Sequence, residues 1–228
     1  FMEQPKNNFK IVSDKKARMI LPNAITLIGV CIGLTSIKFA LDGKFALAII
    51  AILFAGLMDA LDGRIARLIK GTSKMGKELD SLADVISFGV APAFIMYFWS
   101  LQYLDKLGWF VCLIYVVCVA LRLARFNVNS EEESSWKDNF FEGVPAPAGG
   151  IIVLMPLVLS FSGLGEIFFK INYDQVVLAF FIVVSILLIS IVPTYSFKRI
   201  VIPRSMTKFL LFGIVLFFGA LLVYTFKV

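Results

Sequence analysis

Residues 59–84 read DALDGRIARLIKGTSKMGKELDSLAD and carry two pairs of aspartates within apolar sequence. Asp59 and Asp62 are three residues apart, so their side chains share one face of a helix. Asp80 and Asp84 are four residues apart and share a helix face in the same way. The polar connection between the pairs contains two glycines, which interrupt helices. We therefore predict a hairpin of two neighbouring helices whose acidic faces meet.

The composition around this stretch is that of a membrane protein. The chain has 228 residues, of which 59% are hydrophobic and 17% charged, whereas soluble domains have about 45–50% apolar and about 25% charged residues. This excludes a soluble globular domain and a disordered chain. Histidine is absent, which excludes Ser-His and Cys-His nucleophile pairs and imidazole metal ligands. The three cysteines lack C-x-x-C spacing, so neither a zinc site nor a disulfide framework is indicated.

Seven apolar stretches approach the length of about 20 residues that a helix needs to cross a membrane. We predict an all-α integral membrane protein, a multi-span bundle of about seven transmembrane helices, with one membrane domain over residues 22–228. The predicted spans are residues 22–41, 44–70, 77–101, 108–129, 146–163, 173–193 and 206–226. The fifth is short and contains Pro156, so it fits a spanning helix least well.

The basic residues predict how this bundle lies in the membrane. If the N-terminus is cytoplasmic, 17 of the 22 lysines and arginines fall on the cytoplasmic side, as the positive-inside rule requires. We therefore place the N-terminus and the acidic pairs at the cytoplasmic face of the inner membrane; the side of the C-terminus depends on the number of spans after residue 146. The net charge of +6 then indicates contact with anionic lipid rather than nucleic acid. Residues 1–21 form either an interfacial amphipathic helix or a charged leader that fixes topology.

Placing four aspartates in apolar helices costs free energy of membrane insertion, and a bound ligand can offset this cost. Each charge near a bilayer centre costs about 2.5–3.5 kcal/mol, and four cost about 10 kcal/mol without compensation. Carboxylates that converge without histidine or thiolate form a hard oxygen site, which suits Mg²⁺ or Mn²⁺, with Ca²⁺ as a further candidate. We predict that Asp59, Asp62, Asp80 and Asp84 bind divalent metal, and two ions can share these four carboxylates.

Small and basic residues beside the first acidic pair indicate a phosphate-containing ligand. Gly63 and Ala66 lack bulk, so a ligand can approach the helix backbone there. Arg67 is suited to bidentate contact with phosphate. Alternatively, Gly63 and Ala66 are packing residues between helices, but their place beside four aspartates and an arginine favours the ligand.

The same stretch matches the pattern D-x2-D-G-x2-A-R-x8-G-x3-D-x3-D at every fixed position. This pattern is the signature of the CDP-alcohol phosphotransferase family, which the chain resembles. The resemblance implies transfer of a phosphatidyl or related group from a CDP-linked lipid to an alcohol, with release of CMP. It also implies that the four aspartates hold two divalent metals over the pyrophosphate, and that Asp84 takes the proton from the attacking hydroxyl. Gly63, Ala66 and Arg67 would contact the cytidine diphosphate, and family members are commonly homodimers.

Three further polar residues are candidate contacts to CDP-diacylglycerol. Pro22-Asn23-x-x-Thr26 resembles the nucleotide-side motif of this family, and Asn23 and Thr26 share a helix face from which they can hydrogen-bond a base or ribose. The same residues also fit a helix start, with Asn23 as its cap. Ser73, in the connection between the acidic pairs, offers a hydroxyl to the ligand or serves as a turn residue.

Three downstream stretches bear on the acceptor alcohol. They are VISFGVAPA at 85–93, RLARFNV at 122–128 and FFEGVPAPAGG at 140–150. Together with the second acidic pair, they resemble bacterial and archaeal-type phosphatidylserine synthases within this family. This resemblance implies that CDP-diacylglycerol and L-serine react to give phosphatidylserine and CMP.

A serine site needs a cation for the carboxylate and acceptors for the ammonium. Arg122 and Arg125 are three residues apart and fit the carboxylate, unless they extend to anionic headgroups. Asn127 and Glu142 fit the ammonium, while Ser87 and Phe88 follow Asp84 and fit the pocket wall. The predicted serine contacts are therefore Ser87, Phe88, Arg122, Arg125, Asn127 and Glu142.

Two other functions stay open at this point. Glycerol 3-phosphate or inositol phosphate is an alternative acceptor within the same family, because an arginine also binds phosphate. A cation transporter with an intramembrane acidic site is an alternative from another class. Against transport, no inverted repeat is visible, and ion flux does not require the glycine and arginine spacing of the motif.

Overall fold

The computed structural model describes residues 14–69, 73–129, 140–142, 144–161, 173–190 and 193–195. Within these residues the chain forms eight α-helices, one π-helical turn and one 3₁₀ turn. The helices are α1 (Asp14–Leu41), α2 (Phe45–Leu68), α3 (Lys74–Asp84), α4 (Ala91–Trp99), α5 (Asp105–Asn129), α6 (Ala146–Val153), α7 (Met155–Phe161) and α8 (Tyr173–Ile189). The π-helical turn is Val85–Val90, and the 3₁₀ turn is Leu101–Leu104.

Four helical segments in the described part of the chain are long and apolar enough to cross a membrane. They are Ile20–Leu41, Phe45–Leu68, Lys74–Trp99 and Leu101–Val128. Large apolar side chains such as Leu27, Phe110 and Val117 are exposed on them, as expected of a surface that faces lipid. The prediction of a helical membrane protein is therefore confirmed, whereas the count of seven spans is not.

The first helices form the hairpin on which the site depends. A tight turn at residues 42–44 joins α1 to α2, and the two helices pack closely against each other. The third membrane segment, formed by α3, the π-helical turn and α4, then packs against α1. Short connections keep consecutive helices adjacent and antiparallel, so the two acidic pairs are brought to the same end of the bundle.

The core lies where α4, α5 and α6 surround the π-helical turn and α8 packs against α5 and α6. Its largest fully buried side chains include Phe88, Ile95, Met96, Tyr115 and Phe181. α5 packs against α8, and α6 packs against the π-helical turn. In a bilayer such close packing, rather than transfer from water, favours helix association.

The first helix begins earlier than predicted. α1 starts at Asp14 and continues through Pro22, so the alternative in which Pro22 opens the helix and Asn23 caps it is wrong, while the predicted span 22–41 agrees with Ile20–Leu41. Proline removes one backbone donor, but membrane helices tolerate this loss where neighbouring groups satisfy the freed carbonyl. The predicted boundary between residues 1–21 and 22–228 therefore falls inside one helix, and residues 1–13 lie outside the described residues.

The last predicted spans differ from the observed helices. The stretch predicted as the fifth span, residues 146–163, holds two short helices, α6 and α7. Pro156 lacks the N–H that would continue the first of them, which accounts for the interruption. α8 ends at Ile189 and has 17 residues, fewer than the about 20 that a span needs. The predicted seventh span, residues 206–226, lies outside the described residues.

A short antiparallel ladder joins two stretches for which helices or connections were predicted. β1 (Phe140–Glu142) pairs with β2 (Pro193–Tyr195), with Phe140 opposite Tyr195. The all-α prediction is corrected to this extent. The two strands lie far apart in the sequence, and no hairpin turn signal connects them.

Candidate active site

Three carboxylates converge between α2 and α3. The carboxylate oxygens of Asp59, Asp62 and Asp80 lie within 4.8 Å of one another. Asp62 is buried, with 3% of its surface exposed, and the other two are half-buried. The acidic faces of the two helices thus meet in the way that the residue spacing predicts. Carboxylates this close repel one another unless a cation or protons neutralise them, so the cluster is suited to bind a divalent metal.

Asp84 lies at the end of α3, one turn beyond Asp80. It lines the same cleft as Asp59 and Asp62, although it is outside the group of three carboxylates described above. The other residues that line this cleft are Thr26, Gly29, Ala55, Ala83, Ser87 and Phe88. The fourth carboxylate therefore faces the cleft from the side where the π-helical turn begins.

Thr26 connects the first helix to the acidic cluster. Its Oγ1 lies 2.5 Å from Asp62 Oδ2 and 3.0 Å from the carbonyl oxygen of Pro22. A hydroxyl has one hydrogen to donate, and the charged carboxylate is both the nearer and the stronger acceptor. α1 thereby fixes the orientation of the most deeply buried carboxylate of the cluster.

Asn23 and Ser73 lie together at the start of α3. The Ser73 Oγ accepts a hydrogen bond of 2.9 Å from the backbone N–H of Gly76 and caps this helix. A Cβ atom on Gly76 would lie 3.0 Å from Asn23 Oδ1 and 3.1 Å from Ser73 Oγ, so only glycine fits comfortably at this position of the motif. The hydroxyl of Ser73 therefore has a structural role, while contact of either side chain with a nucleotide stays a prediction.

Gly63, Ala66 and Arg67 follow the first acidic pair near the end of α2. A Cβ atom on Gly63 would meet nothing within 4 Å in the described structure, so helix packing does not account for this glycine there. Ala66 is half-buried and Arg67 is exposed, with Arg67 Nε donating to the Gly63 carbonyl oxygen at 3.0 Å. This surface is open to a ligand, although its contact with a diphosphate stays a prediction.

Of the predicted serine contacts, Ser87, Phe88 and Arg122 lie near Asp84. Ser87 and Phe88 line the cleft, but Phe88 is only 1% exposed and can serve only as a wall. Arg122 on α5 lies near enough to Asp84 for their charges to attract. Its Nε is buried, and no described residue accepts a hydrogen bond from it.

Two of the other predicted serine contacts, Arg125 and Asn127, bond to neighbouring helices. Arg125 Nη1 donates to the carbonyl oxygen of Ile189 at 3.0 Å, which satisfies a terminal carbonyl of α8. Asn127 Nδ2 donates to Ser81 Oγ at 3.0 Å and thereby joins α5 to α3. Glu142 lies in β1 opposite Pro193. Arg125 and Asn127 thus bond to other helices in the described structure, while contact of Glu142 with serine stays a prediction.

The motif alone does not identify the small residues that shape the cleft. Gly29 of α1 and Ala55 of α2 line it beside the aspartates, and Ser81 supports α3 from within the second acidic pair. Gly29 and Ala55 precede the motif, and Ser81 occupies a variable position within it. Their only sequence signal is small size on a membrane helix, which is common in helix packing.

Comparison with known proteins agrees with this geometry. Residues 19–187 match the family described as CDP-alcohol phosphatidyltransferase. A protein of Mycobacterium tuberculosis named CDP-diacylglycerol–serine O-phosphatidyltransferase is 40% identical over 197 residues, which cover 84% of this chain and 66% of the relative. Proteins with the same name from Mycobacterium leprae and Helicobacter pylori are 46% identical over 143 residues and 34% identical over 181 residues.

The coverage differs between these relatives. The alignment with the M. leprae protein covers 62% of this chain and 47% of that protein, and the H. pylori alignment covers 79% and 74%. The chain thus spans less than two thirds of the length of the two mycobacterial relatives. The family match nevertheless includes all four aspartates and the helices that bring them together, and the chain accordingly belongs to the CDP-alcohol phosphatidyltransferase family.

Proposed function

We propose that this protein transfers the phosphatidyl group of CDP-diacylglycerol to the hydroxyl of L-serine, giving phosphatidylserine and CMP. The observation that carries the proposal is the convergence of Asp59, Asp62 and Asp80 from two helices, beside Asp84 in one cleft. The family match and the names of the relatives support phosphatidyl transfer to serine.

The acidic cluster fits the divalent metal that this chemistry uses. Its donors are carboxylate oxygens within 4.8 Å of one another, a set that suits Mg²⁺ or Mn²⁺ better than softer metals. Asp59, Asp62 and Asp80 would hold the first ion, and Asp84 would share in binding a second. Bound metal neutralises negative charge on the diphosphate and on the departing CMP.

Asp84 is the proposed general base. Its carboxylate accepts the proton of the serine hydroxyl, and the serine oxygen forms a bond to the phosphorus that carries diacylglycerol. The bond between this phosphorus and the CMP oxygen breaks, and CMP leaves with the electron pair. The chain has no histidine, so a carboxylate is the natural base, and the place of Asp84 outside the group of three supports this division of roles.

The proposed substrate contacts follow from what remains open around the cluster. Arg122 binds the serine carboxylate, because its buried Nε has no acceptor among the described residues and its charge lies near Asp84. Ser87 lines the pocket beside it. The cytidine diphosphate contacts Gly63, Ala66 and Arg67 near the end of α2. Asn23 and Thr26 of α1 and Ser73 at the start of α3 contact the same ligand. Arg125, Asn127 and Glu142 are secondary candidates for serine.

The proposed setting is the cytoplasmic face of the inner membrane. The N-terminus and the acidic end of the bundle face the cytoplasm, as the distribution of basic residues indicates. The four described membrane segments cross the bilayer, and the protein works as a homodimer in contact with membrane lipid. Reporter fusions at residues 43 and 130, on opposite sides in this topology, test the orientation.

Release of CMP from CDP-diacylglycerol by the purified protein tests the reaction. The assay contains Mn²⁺ or Mg²⁺ and L-serine, glycerol 3-phosphate, inositol phosphate or no acceptor. Asp84→Asn is the test variant, and Asp42→Asn, an exposed aspartate at the other end of the hairpin, is the matched control. We expect release that depends on serine, is lost in Asp84→Asn and persists in Asp42→Asn. Release with another alcohol alone contradicts the acceptor, and no release from folded protein with any alcohol contradicts the function.

A further inference from the structure

The helix that carries Asp84 changes its winding immediately after that residue. Residues Val85–Val90 form a π-helical turn, and the N–H of Ala91 donates to the carbonyl of Ile86, five residues back. Such turns are rare and are frequent at functional sites. Ser87 and Phe88 within the turn line the same cleft as Asp84. The shape of the turn therefore determines how Asp84 lies relative to these two residues.

A proline explains why the helix cannot wind normally here. In an α-helix the carbonyl of Phe88 would accept from the N–H of residue 92. That residue is Pro92, which has no N–H and whose ring collides with this carbonyl in regular helical geometry. Phe88 is 1% exposed, so its carbonyl needs another donor to avoid being buried without a partner.

Tyr115 supplies that donor from the neighbouring helix. Its hydroxyl on α5 donates to the Phe88 carbonyl at 2.8 Å, and Tyr115 has no exposed surface. The Tyr115 ring is itself held edge-on against Phe181 of α8, with ring centroids 5.3 Å apart. The donor is therefore fixed in place by a second helix.

The turn is enclosed on a further side by α6. A Cβ atom on Gly150 would lie 3.0 Å from the Phe88 carbonyl oxygen and 3.1 Å from Phe88 Cβ. Glycine thus lets α6 approach the turn closely at the atom that Tyr115 binds. The carbonyl is confined between two helices, and the shape of the turn depends on both.

We propose that Tyr115 is a positioning residue for the transfer reaction, whose hydroxyl holds the π-helical turn and thereby the direction in which Asp84 faces the cleft. The inference rests on the proposed function, because that function assigns Asp84 as the base. Tyr115 lies outside the acidic cluster, and its hydroxyl acts on the site through the backbone of Phe88.

Tyr115→Phe removes the hydroxyl and keeps the ring. We expect kcat for serine-dependent CMP release to fall about tenfold, because small displacements of a catalytic group reduce rates by up to about 100-fold. KM for both substrates should stay within about twofold, and so should the affinity for the first Mn²⁺ ion measured by electron paramagnetic resonance, since the three carboxylates that would hold that ion include neither Asp84 nor the turn. Tyr97→Phe is the matched control, because Tyr97 of α4 packs against the rings of Phe98 on the same helix and Trp109 on α5.

The outcomes separate this inference from the proposed function. Absence of CMP release from the wild type overturns the proposed function, and the role of Asp84 with it. An active wild type with unchanged kcat in Tyr115→Phe overturns the positioning role alone. Raised KM with unchanged kcat also overturns it, because the turn would then shape binding rather than the base.

A second variant keeps the test decisive if Tyr115→Phe folds poorly. Combining it with Pro92→Ala restores a backbone N–H that can donate to the Phe88 carbonyl. We expect the melting temperature to recover while kcat stays low, because satisfying the carbonyl from within the helix lets the turn relax towards α-helical winding. Recovery of wild-type kcat in this double variant overturns the proposal.

Discussion

Aspartates occupy both ends of the α1–α2 hairpin, but one end pairs an aspartate with a lysine and the other brings aspartates together. At the turn, Asp42 is exposed and its carboxylate lies 2.8 Å from the ammonium of Lys38. This hydrogen bond holds the pKa of Asp42 below its usual range. At the other end, Asp59, Asp62 and Asp80 lie within 4.8 Å of one another. The first carboxylate is satisfied within the chain, whereas the second group places like charges together, which a bound divalent metal would neutralise.

The difference indicates that the acidic cluster lowers the stability of the metal-free fold, whereas the pair at the turn does not. An exposed pair of opposite charges contributes little to folding. Three half-buried or buried carboxylates destabilise the metal-free protein through repulsion and loss of hydration, and such arrangements persist where activity requires them. The comparison therefore predicts a large response when one carboxylate of the acidic cluster is neutralised and a small response when Asp42 is neutralised.

Asp80→Asn should have the largest effect on activity. We expect CMP release to fall by about 100-fold or more, because a stabilising charge is lost where negative charge develops. The melting temperature of the metal-free variant should rise by about 2–4 °C, which corresponds to about 1 kcal/mol of relieved repulsion. Asp42→Asn should change neither quantity by a comparable amount.

Added metal should reverse this order of stability. Mn²⁺ at about 100 times its dissociation constant should stabilise the wild type by about 2.7 kcal/mol, and Asp80→Asn should gain much less. Thermal unfolding with and without Mn²⁺ measures both shifts. An equal gain in the two proteins would show that the metal binds elsewhere.

Thr26→Val should have the next largest effect. It leaves the buried carboxylate of Asp62 without its hydroxyl donor, and loss of such a supporting bond costs about 10- to 100-fold in metal affinity or activity. Thr35→Val on the same helix is the matched control, since the Thr35 hydroxyl donates to the Cys31 carbonyl on an exposed face. A metal titration of activity checks both, and equal losses would contradict a specific role for Thr26.

Asn127→Ala should have a smaller effect, which is on stability, because Asn127 of α5 bonds to Ser81 of α3. Removing its bond to Ser81 should lower the free energy of unfolding by about 1 kcal/mol. Ser81→Ala removes the same bond from the other side and should lower the free energy of unfolding as well, although Asn127→Ala also removes a hydrogen bond of 3.4 Å to Glu78. KM for serine separates two roles: a rise in Asn127→Ala alone would indicate contact with serine, and equal values would indicate support of the helices only.

Lys38→Met should have the smallest effect on activity. It tests the end of the hairpin at the α1–α2 turn, which lies away from the acidic cluster. The Lys38–Asp42 pair is exposed, so its loss should leave activity within about twofold of the wild type. The CMP-release assay measures this directly. A large loss would show that the two ends of the hairpin are coupled.

The sequence predicts the acidic cluster well because its information is local. The spacing of Asp59, Asp62, Asp80 and Asp84 requires only helical periodicity and a short connection to bring the side chains together. The membrane character follows equally from local composition. Predicting these features does not require knowing which distant segments of the chain contact each other.

Features that depend on distant partners escape such prediction. Tyr115 binds a carbonyl 27 residues away, and Arg125 binds the end of a helix 64 residues away, although its charge suggests a ligand. The pairing of β1 with β2 is equally remote in sequence. Pro22 and Pro156 look alike as interruptions, yet α1 continues through the first and the helix is broken near the second, because tertiary surroundings decide whether the missing donor is tolerated.

The cleft has a consequence for the order in which the protein is made. The described residues that line it lie between Thr26 and Phe88, so a ribosome that has delivered the third membrane segment has delivered all of these residues. Tyr115 emerges later, with α5. During synthesis the residues of the pocket are therefore made first, and the hydroxyl that binds the Phe88 carbonyl follows with the next helix.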